Sequence, residues 1–278
     1  MNSSSKMTEF VINSATIRKQ WELQDLLKAC KKRGLKRVSI WADDTDKLGL
    51  VETTKILTDY DVRVFGFNRA GPLIGSNNEI NKEMFDAARK RVDQAFELNA
   101  DHILIFSGGL PKNNYDLVNV RAQVEEAIGL LYEYAFPSGV KLALEPLHPM
   151  LTGDRTVIAS LSHANKICDG LGERIGLVVD VYHVWWDEML FTEIVRAGST
   201  NRLLGFHVSD WLIPTCDMVS DRGMMGDGII DLSRIWKHVK KAGYDGPVEV
   251  EIFSKKWWAE DPDFLFDIAI ARCNDIFS

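Results

Sequence analysis

The sequence predicts a single closed parallel (β/α)8 TIM barrel, and three observations carry that prediction. Short β-branched or aromatic runs alternate with longer stretches of helical periodicity eight times along 278 residues. No long linker, Pro-rich tract or low-complexity run interrupts the alternation. The doubly wound alternative usually brings a Gly-rich phosphate loop after its first strand, and that position reads Asn13-Ser14-Ala15-Thr16. Length alone allows two modest domains or one large barrel. The unbroken alternation favours one domain over residues 9–278, behind a flexible N-terminal segment at 1–8.

The eight strands are expected at Phe10–Ala15, Arg37–Trp41, Val62–Phe67, His102–Phe106, Lys141–Glu145, Gly176–Val181, Leu203–Val208 and Val248–Phe253. Between them, helices are expected at Arg18–Arg33, Lys47–Asp59, Glu79–Leu98, Val118–Tyr134, Ser160–Gly170, Leu190–Ala197 and Asp231–Lys241, with Asp263–Ile276 after the last strand. Gly34 and Gly243 follow basic helix ends, as left-handed cap residues do. Asp231 and Asp261-Pro262 give N-terminal starts for the last two helices. The stretch Arg69–Asn78 (RAGPLIGSNN) is long and glycine-rich enough to move as a lid.

Composition narrows the function classes. Net charge is −7, from 33 Lys+Arg against 40 Asp+Glu, which argues against a general nucleic-acid binder. No run approaches the ~18–20 apolar residues of a membrane helix. The start MNSSSKMTEF lacks the apolar core of a signal peptide. Cys30, Cys168, Cys216 and Cys273 form no C-x-x-C pair, so neither a disulfide framework nor a thiolate zinc site is expected. A reduced, cytoplasmic protein is the simplest expectation.

In such barrels chemistry sits at the C-terminal ends of the strands. The fifth strand ends LALEPLHP with Glu145, and the sixth ends GLVVDVYH with Asp180 and His183. The seventh ends LGFHVSD with His207 and Asp210, and the eighth reads VEVEIFS with Glu251. Strand period two puts Val248 and Val250 on one face and Glu249 and Glu251 on the other, so Glu251 points into the barrel mouth. Four consecutive strands therefore aim a carboxylate or imidazole at one point. Three converging carboxylates repel one another unless a cation neutralises them, and a hard divalent ion in an oxygen-rich site with one imidazole does so.

The segments ALEPLHP, VVDVYHVWWD, DRGMMGDGIIDL and VEVEIFS, the last followed by Trp257-Trp258, resemble the xylose isomerase-like barrel superfamily. Within it they are most similar to its sugar phosphate isomerase/epimerase-type and ketose 3-epimerase branch. The resemblance implies a metal quartet of Glu145, Asp180, His207 and Glu251, holding one divalent ion: Mn²⁺ first, with Mg²⁺, Co²⁺ or Zn²⁺ as alternatives. It implies that Glu145 and Glu251 move protons on opposite faces of a substrate carbon. His183 and Arg222 would hold substrate oxygens. Endonuclease IV-type repair enzymes share the superfamily but need further His ligands. Here strands three and four end Gly66-Phe67-Asn68 and Phe106-Ser107-Gly108, and Asp221-Arg222 is followed by Gly223.

The implied chemistry is proton abstraction alpha to a carbonyl through an enediolate. C3 epimerisation of a free ketose or related polyol ketone is the first expectation. A lyase or dehydratase acting on a keto sugar or inosose is the alternative, and a non-catalytic sugar-binding barrel a third reading. No Arg/Lys-rich phosphate cradle is apparent, although Arg155 and Arg222 leave a phosphorylated substrate open. His148 is a candidate leaving-group acid or substrate contact, or simply a loop histidine before Pro149. Asp210 is a candidate partner for His207 or Arg222. Glu249 reads as a deeper structural ion pair, with Lys141 its candidate partner. Trp185, Trp186, Trp211, Trp257 and Trp258 follow strands six to eight, and Trp41 and Phe67 lie near strand ends. Sugar stacking, with Trp185 and Trp211 foremost, competes with a subunit interface or packing role. The resemblance also implies a homo-oligomer, a dimer or tetramer.

Overall fold

Eight parallel strands close into a barrel in this computed structural model, which describes residues 8–74 and 81–278. The strands are β1 (Phe10–Asn13), β2 (Arg37–Trp41), β3 (Arg63–Ala70), β4 (His102–Ile105), β5 (Leu142–Leu144), β6 (Ile175–Asp180), β7 (Leu203–Val208) and β8 (Val248–Val250). Each pairs with its sequence neighbours, and β8 closes on β1 through Phe10↔Val248, Val11↔Glu249 and Ile12↔Val250. A right-handed βα alternation leaves this closed sheet as the arrangement that buries both strand faces.

The outward strand residues and the helices form one large apolar core, which includes Ile12, Val38, Val64, Ile103, Leu142, Val179, Phe206 and Val250. A second, smaller cluster of Leu104, Ala143 and Val178 fills the barrel interior, with Leu204 against it. Below the mouth the interior turns polar. His102 is buried there, edge-on to Phe65 at 4.9 Å, in space that glycine leaves open. A Cβ on Gly66 would lie 2.9 Å from Ser39 Oγ and 3.3 Å from His102 Nε2. Burial pushes the His102 imidazole down to about 4, so it is neutral at ordinary pH.

Several boundaries differ from the sequence expectation. The first helix begins at Leu23, not Arg18, because the preceding chain is tied across the barrel mouth. Thr16 Oγ1 donates to the Val250 carbonyl (3.0 Å) and accepts from the Ile252 N–H (3.0 Å). The second helical stretch is two helices, Ala42–Leu48 and Leu50–Tyr60, broken at Gly49, whose φ is 83°. β3 runs on to Ala70 because both neighbours extend it, through Trp41↔Asn68 and Ala70↔Ile105. Asp231 and Asp261 cap the last two helices as expected, and Gly34 and Gly243 take positive φ. The expected N-terminal segment lies, but for Thr8, outside the described residues. So do residues 75–78 of the lid expectation and the first residues, 79–80, of the fourth helix expectation. No helix among the described residues is long and apolar enough to cross a membrane.

Candidate metal centre and active site

Register brings the strand-end side chains together. Asp180 on β6 pairs with His207 on β7, and His207 pairs with Glu249 on β8, so these positions share one level of the barrel. Glu145 lies one residue beyond β5 and Glu251 one beyond β8, both turned inward. Ligand atoms of Glu145, Asp180, His207 and Glu251 all fall within 4.8 Å of one another. His207 Nδ1 is 3.0 Å from Glu145 Oε1 and 3.8 Å from Glu251 Oε2. Both Glu145 Oε1 and His207 Nδ1 are buried without a well-formed hydrogen bond. These two unpartnered atoms, with the Asp180 and Glu251 carboxylates beside them, form a donor set that fits a divalent ion.

The electrostatics describe the metal-free protein. Burial opposes charge on His207, but Glu249 and Glu145 outweigh it and raise the imidazole well above its ordinary range. Glu251 is pushed up by burial and by repulsion from Glu145 and Asp180, against the pull of Arg222 and His207. Glu249 is held low because the attraction of His207 exceeds its burial penalty. His207 Nε2 lies 3.2 Å from Glu249 Oε2, and Asn13 Nδ2 donates to the other carboxylate oxygen at 2.7 Å. Asn13 Oδ1 in turn accepts from Trp41 Nε1 at 2.9 Å. The ion-pair partner of Glu249 is therefore His207, not Lys141, whose side chain is exposed. The reason is level, not face: Lys141 lies two residues before the interior Ala143, nearer the N-terminal end of β5, whereas His207 is the cross-strand partner of Glu249.

Arg222 forms the opposite wall. Its Nη1 donates to Asp180 Oδ2 (2.9 Å) and to the Glu251 carbonyl (3.2 Å). Its Nη2 lies 3.0 Å from His183 Nε2. Burial opposes the Arg222 charge, but Asp180, Glu251 and Glu145 overcome it and raise the group. His183 is driven well below its ordinary value by burial and by the adjacent guanidinium, so its ring is neutral. The His148 N–H donates to His183 Nδ1 at 3.1 Å, which assigns the ring proton to Nε2. His183 Nε2–H and Arg222 Nη2–H thus face each other at 3.0 Å, donor against donor, on the wall of one cavity, a contact that an oxygen acceptor placed beside both nitrogens would relieve.

Asp210 does something the sequence did not suggest. It touches neither His207 nor Arg222 with a hydrogen bond. Its carboxylate accepts from the N–H groups of Trp211 (2.9 Å), Gly226 (2.9 Å), Gly228 (2.9 Å) and Ile230 (3.1 Å). It thereby folds the 212–230 segment over the mouth, where an antiparallel pair of Asp210–Trp211 with Arg222–Gly223 delivers Arg222. Gly226 has φ 89°, and a Cβ on Gly228 would sit 2.6 Å from Asp210 Oδ1, so both glycines of the G-D-G turn are needed.

A cavity of about 340 Å³ opens above the quartet, lined by Glu145, Glu251, His183 and Arg222 together with Trp41, Arg69, Phe106, Leu147, Met218 and Phe253. The other expected substrate contacts sit elsewhere. His148 stacks on Trp211 at 4.7 Å, and its Nδ1 accepts from the Met150 N–H. Trp185 packs on Trp211 at 5.6 Å and Tyr182 at 4.8 Å. This aromatic cluster stands behind His183 and does not line the cavity. Phe67 is wholly buried in the outer core. Trp41, Phe106 and Phe253 are the cavity aromatics. Arg69, within β3, and Phe106 and Phe253, past the ends of β4 and β8, escaped the sequence reading because none belongs to a polar signature motif.

Residues 20–268 match the family described as xylose isomerase-like TIM barrel. The chain belongs to that family. Among solved structures it is similar to protein SMc04130 from Sinorhizobium meliloti 1021, at 38% identity and a TM-score of 0.94, covering 98% of this chain and 99% of that one. It is also similar to an IOLI protein described with a bound zinc atom, at 18% identity and a TM-score of 0.81, covering 97% and 98%. At that identity the likeness speaks for the fold. Among curated proteins, this xylose isomerase-like chain is 27% identical over 145 residues to a ketose 3-epimerase of Arthrobacter globiformis, covering 50% of this chain and 44% of the relative. It is 29% identical over 132 residues to an inosose isomerase of Halalkalibacterium halodurans, covering 46% and 45%. The matches span less than half the length of either curated relative.

Proposed function

We propose that the protein is a divalent-metal-dependent sugar isomerase or epimerase, and that its reaction is epimerisation at C3 of a ketose. The observation that carries this reading is that two inward carboxylates, Glu145 and Glu251, share one cavity with a convergent oxygen-binding donor pair, His183 and Arg222. The similarity to a ketose 3-epimerase and an inosose isomerase supports the reaction class. Glu145, Asp180, His207 and Glu251 would hold the ion, and three hard carboxylates with one imidazole suit Mn²⁺. When bound, such an ion supplies Lewis-acid polarisation of the substrate carbonyl.

The chain's own residues do the rest. One glutamate takes the proton from the carbon alpha to the carbonyl, and the other returns one to the opposite face. His183 Nε2–H and the Arg222 guanidinium hold a substrate oxygen between them, where negative charge grows as the proton leaves. Trp41, Phe106 and Phe253 supply apolar faces for the C–H side of a sugar and exclude water.

The test is proton exchange. Incubation of the Mn²⁺-loaded protein with a panel of ketoses and inososes in D₂O, followed by NMR, is expected to place deuterium at C3 of a ketose with inversion there. Loss of water or an aglycone would move the assignment to a lyase. Identical behaviour of loaded and metal-free protein across the panel would refute the metal mechanism.

Glu249 positions a ligand in this scheme. With Nδ1 given to the ion, His207 must carry its proton on Nε2, facing Glu249 at 3.2 Å. Glu249→Gln is expected to weaken Mn²⁺ binding by about 10–100-fold, read by calorimetric titration. Unchanged affinity would show that Glu249 does not orient the imidazole.

A further inference from the structure

The cavity holds more positive charge than the proposed chemistry uses. Four arginines line it: Arg18, Arg69, Arg155 and Arg222. Arg222 is matched by Asp180 and Glu251, and Arg18 by Asp43 at 3.4 Å. Arg69 and Arg155 have neither a salt bridge nor a side-chain hydrogen bond to any described residue.

Arg69 is held in place by packing, and Arg155 by the turn that carries it. Arg69, near the end of β3, sets its guanidinium over Phe106, with Cζ 3.8 Å from the ring centroid, and 5.4 Å from the Trp41 ring. Stacking uses the faces of a guanidinium and leaves its N–H edge open. Trp41 is itself fixed, through its Nε1 bond to Asn13. Arg155 lines the same cavity from a tight turn, where its N–H donates to the Leu151 carbonyl (3.0 Å) and the Gly153 N–H to that of Thr156 (3.0 Å). Burial and repulsion from Arg155 both act against the Arg69 charge, more than the distant acids Asp43, Glu145 and Glu251 favour it. Two like charges thus line one cavity, one of them on an aromatic platform, with no ion pair to either among the described residues.

We propose that Arg69 and Arg155 form an anion subsite, and that the substrate is a keto sugar carrying a phosphate monoester at the end remote from the quartet. The proposal rests on the sugar isomerase/epimerase reading and specifies its substrate class. Two separate guanidinium groups suit a tetrahedral dianion, whose three terminal oxygens can accept from both at once. One fork alone would satisfy a carboxylate. A cavity of about 340 Å³ accommodates a sugar with one such group. The anion also anchors the substrate away from the reacting carbon, so that its binding fixes which carbon meets Glu145 and Glu251.

The experiment compares a ketopentose and a ketohexose with their terminal phosphate esters and with a keto sugar acid, using the Mn²⁺-loaded protein in D₂O. The expected result is a kcat/KM for a phosphate ester about 100-fold above that of its free sugar. In Arg69→Met and Arg155→Ala that ratio is expected to fall by about tenfold each. Arg155 is exposed, so its variant keeps the test open should Arg69→Met fail to fold. A free sugar turned over as well as its ester, a sugar acid preferred to the ester, or a ratio unchanged in both variants overturns the subsite. Calorimetric binding of the same ligands separates the two levels of the argument. Deuterium exchange without ester preference sinks the subsite alone. Arginine-dependent ester binding without exchange sinks the reaction and leaves the subsite standing.

Discussion

Glu251→Gln is expected to lower formation of the inverted, deuterated product by about 10³-fold, and Glu145→Gln by a similar factor. The two losses should not multiply in the double variant, because proton removal and proton return belong to one reaction path and either defect stops it. The amide keeps the volume of the carboxyl, and Asp180, His207 and the remaining glutamate leave three of the four donors in place. Metal content by elemental analysis and the far-UV spectrum therefore separate loss of the base from loss of the ion or fold. A variant that retains both metal and inversion would remove that glutamate from the mechanism. If substrate binding persists in both variants and the parent shows no exchange, the sugar-binding reading takes over.

Metal removal is expected to have the second large effect. Three carboxylates share a space 4.8 Å across with one imidazole, and Arg222 pairs with only two of them, so a divalent ion adds charge that the cluster can use. An ion that binds only the folded state, present at a thousandfold over its dissociation constant, adds about 4 kcal/mol of stability. Dialysis against a chelator should abolish exchange and lower Tm, and Mn²⁺ should restore both. The pH dependence has a fixed sign. Both His207 and Glu251 are raised in the metal-free protein, so each tends to hold a proton that ligation must displace. Affinity for Mn²⁺ should therefore rise as pH rises, with proton release visible as a buffer-dependent heat in calorimetry. Affinity independent of pH between 6 and 8 (about the range where Mn²⁺ stays soluble and such shifted groups titrate) would mean that these residues do not take the ion.

The quartet was legible in the chain because strand geometry is local. Glu251 follows Val248-Glu249-Val250 with period two, and the closure of the barrel does not alter which face an alternating residue takes. Helix ends were legible for a similar reason: Asp231 and Asp261 cap the residues three positions on, within reach of their own backbone. Where the chain crosses the mouth, locality failed. The 18–22 stretch has helical periodicity but is held out of the helix by Thr16 bonding to Val250 and Ile252, some 235 residues away. Asp210 looked like a partner for catalytic groups because sequence gives proximity to His207, not direction. Its oxygens instead satisfy four N–H groups of a turn up to 20 residues later.

What the sequence by itself determined is the barrel and the inward aim of Glu145, Asp180, His207 and Glu251, since periodicity and strand ends are properties of neighbouring residues. Only the tertiary structure decided who meets whom. Register set Glu249 beneath His207, and the 212–230 fold brought Arg222 against His183 and Asp180. Packing moved His148, Trp185 and Trp211 behind the wall and brought Arg69, Phe106 and Phe253 into the cavity. The physical reason is the same throughout. A strand dictates the face on which a side chain lies, whereas a loop takes its course from whatever distant donors and rings complete its hydrogen bonds and packing.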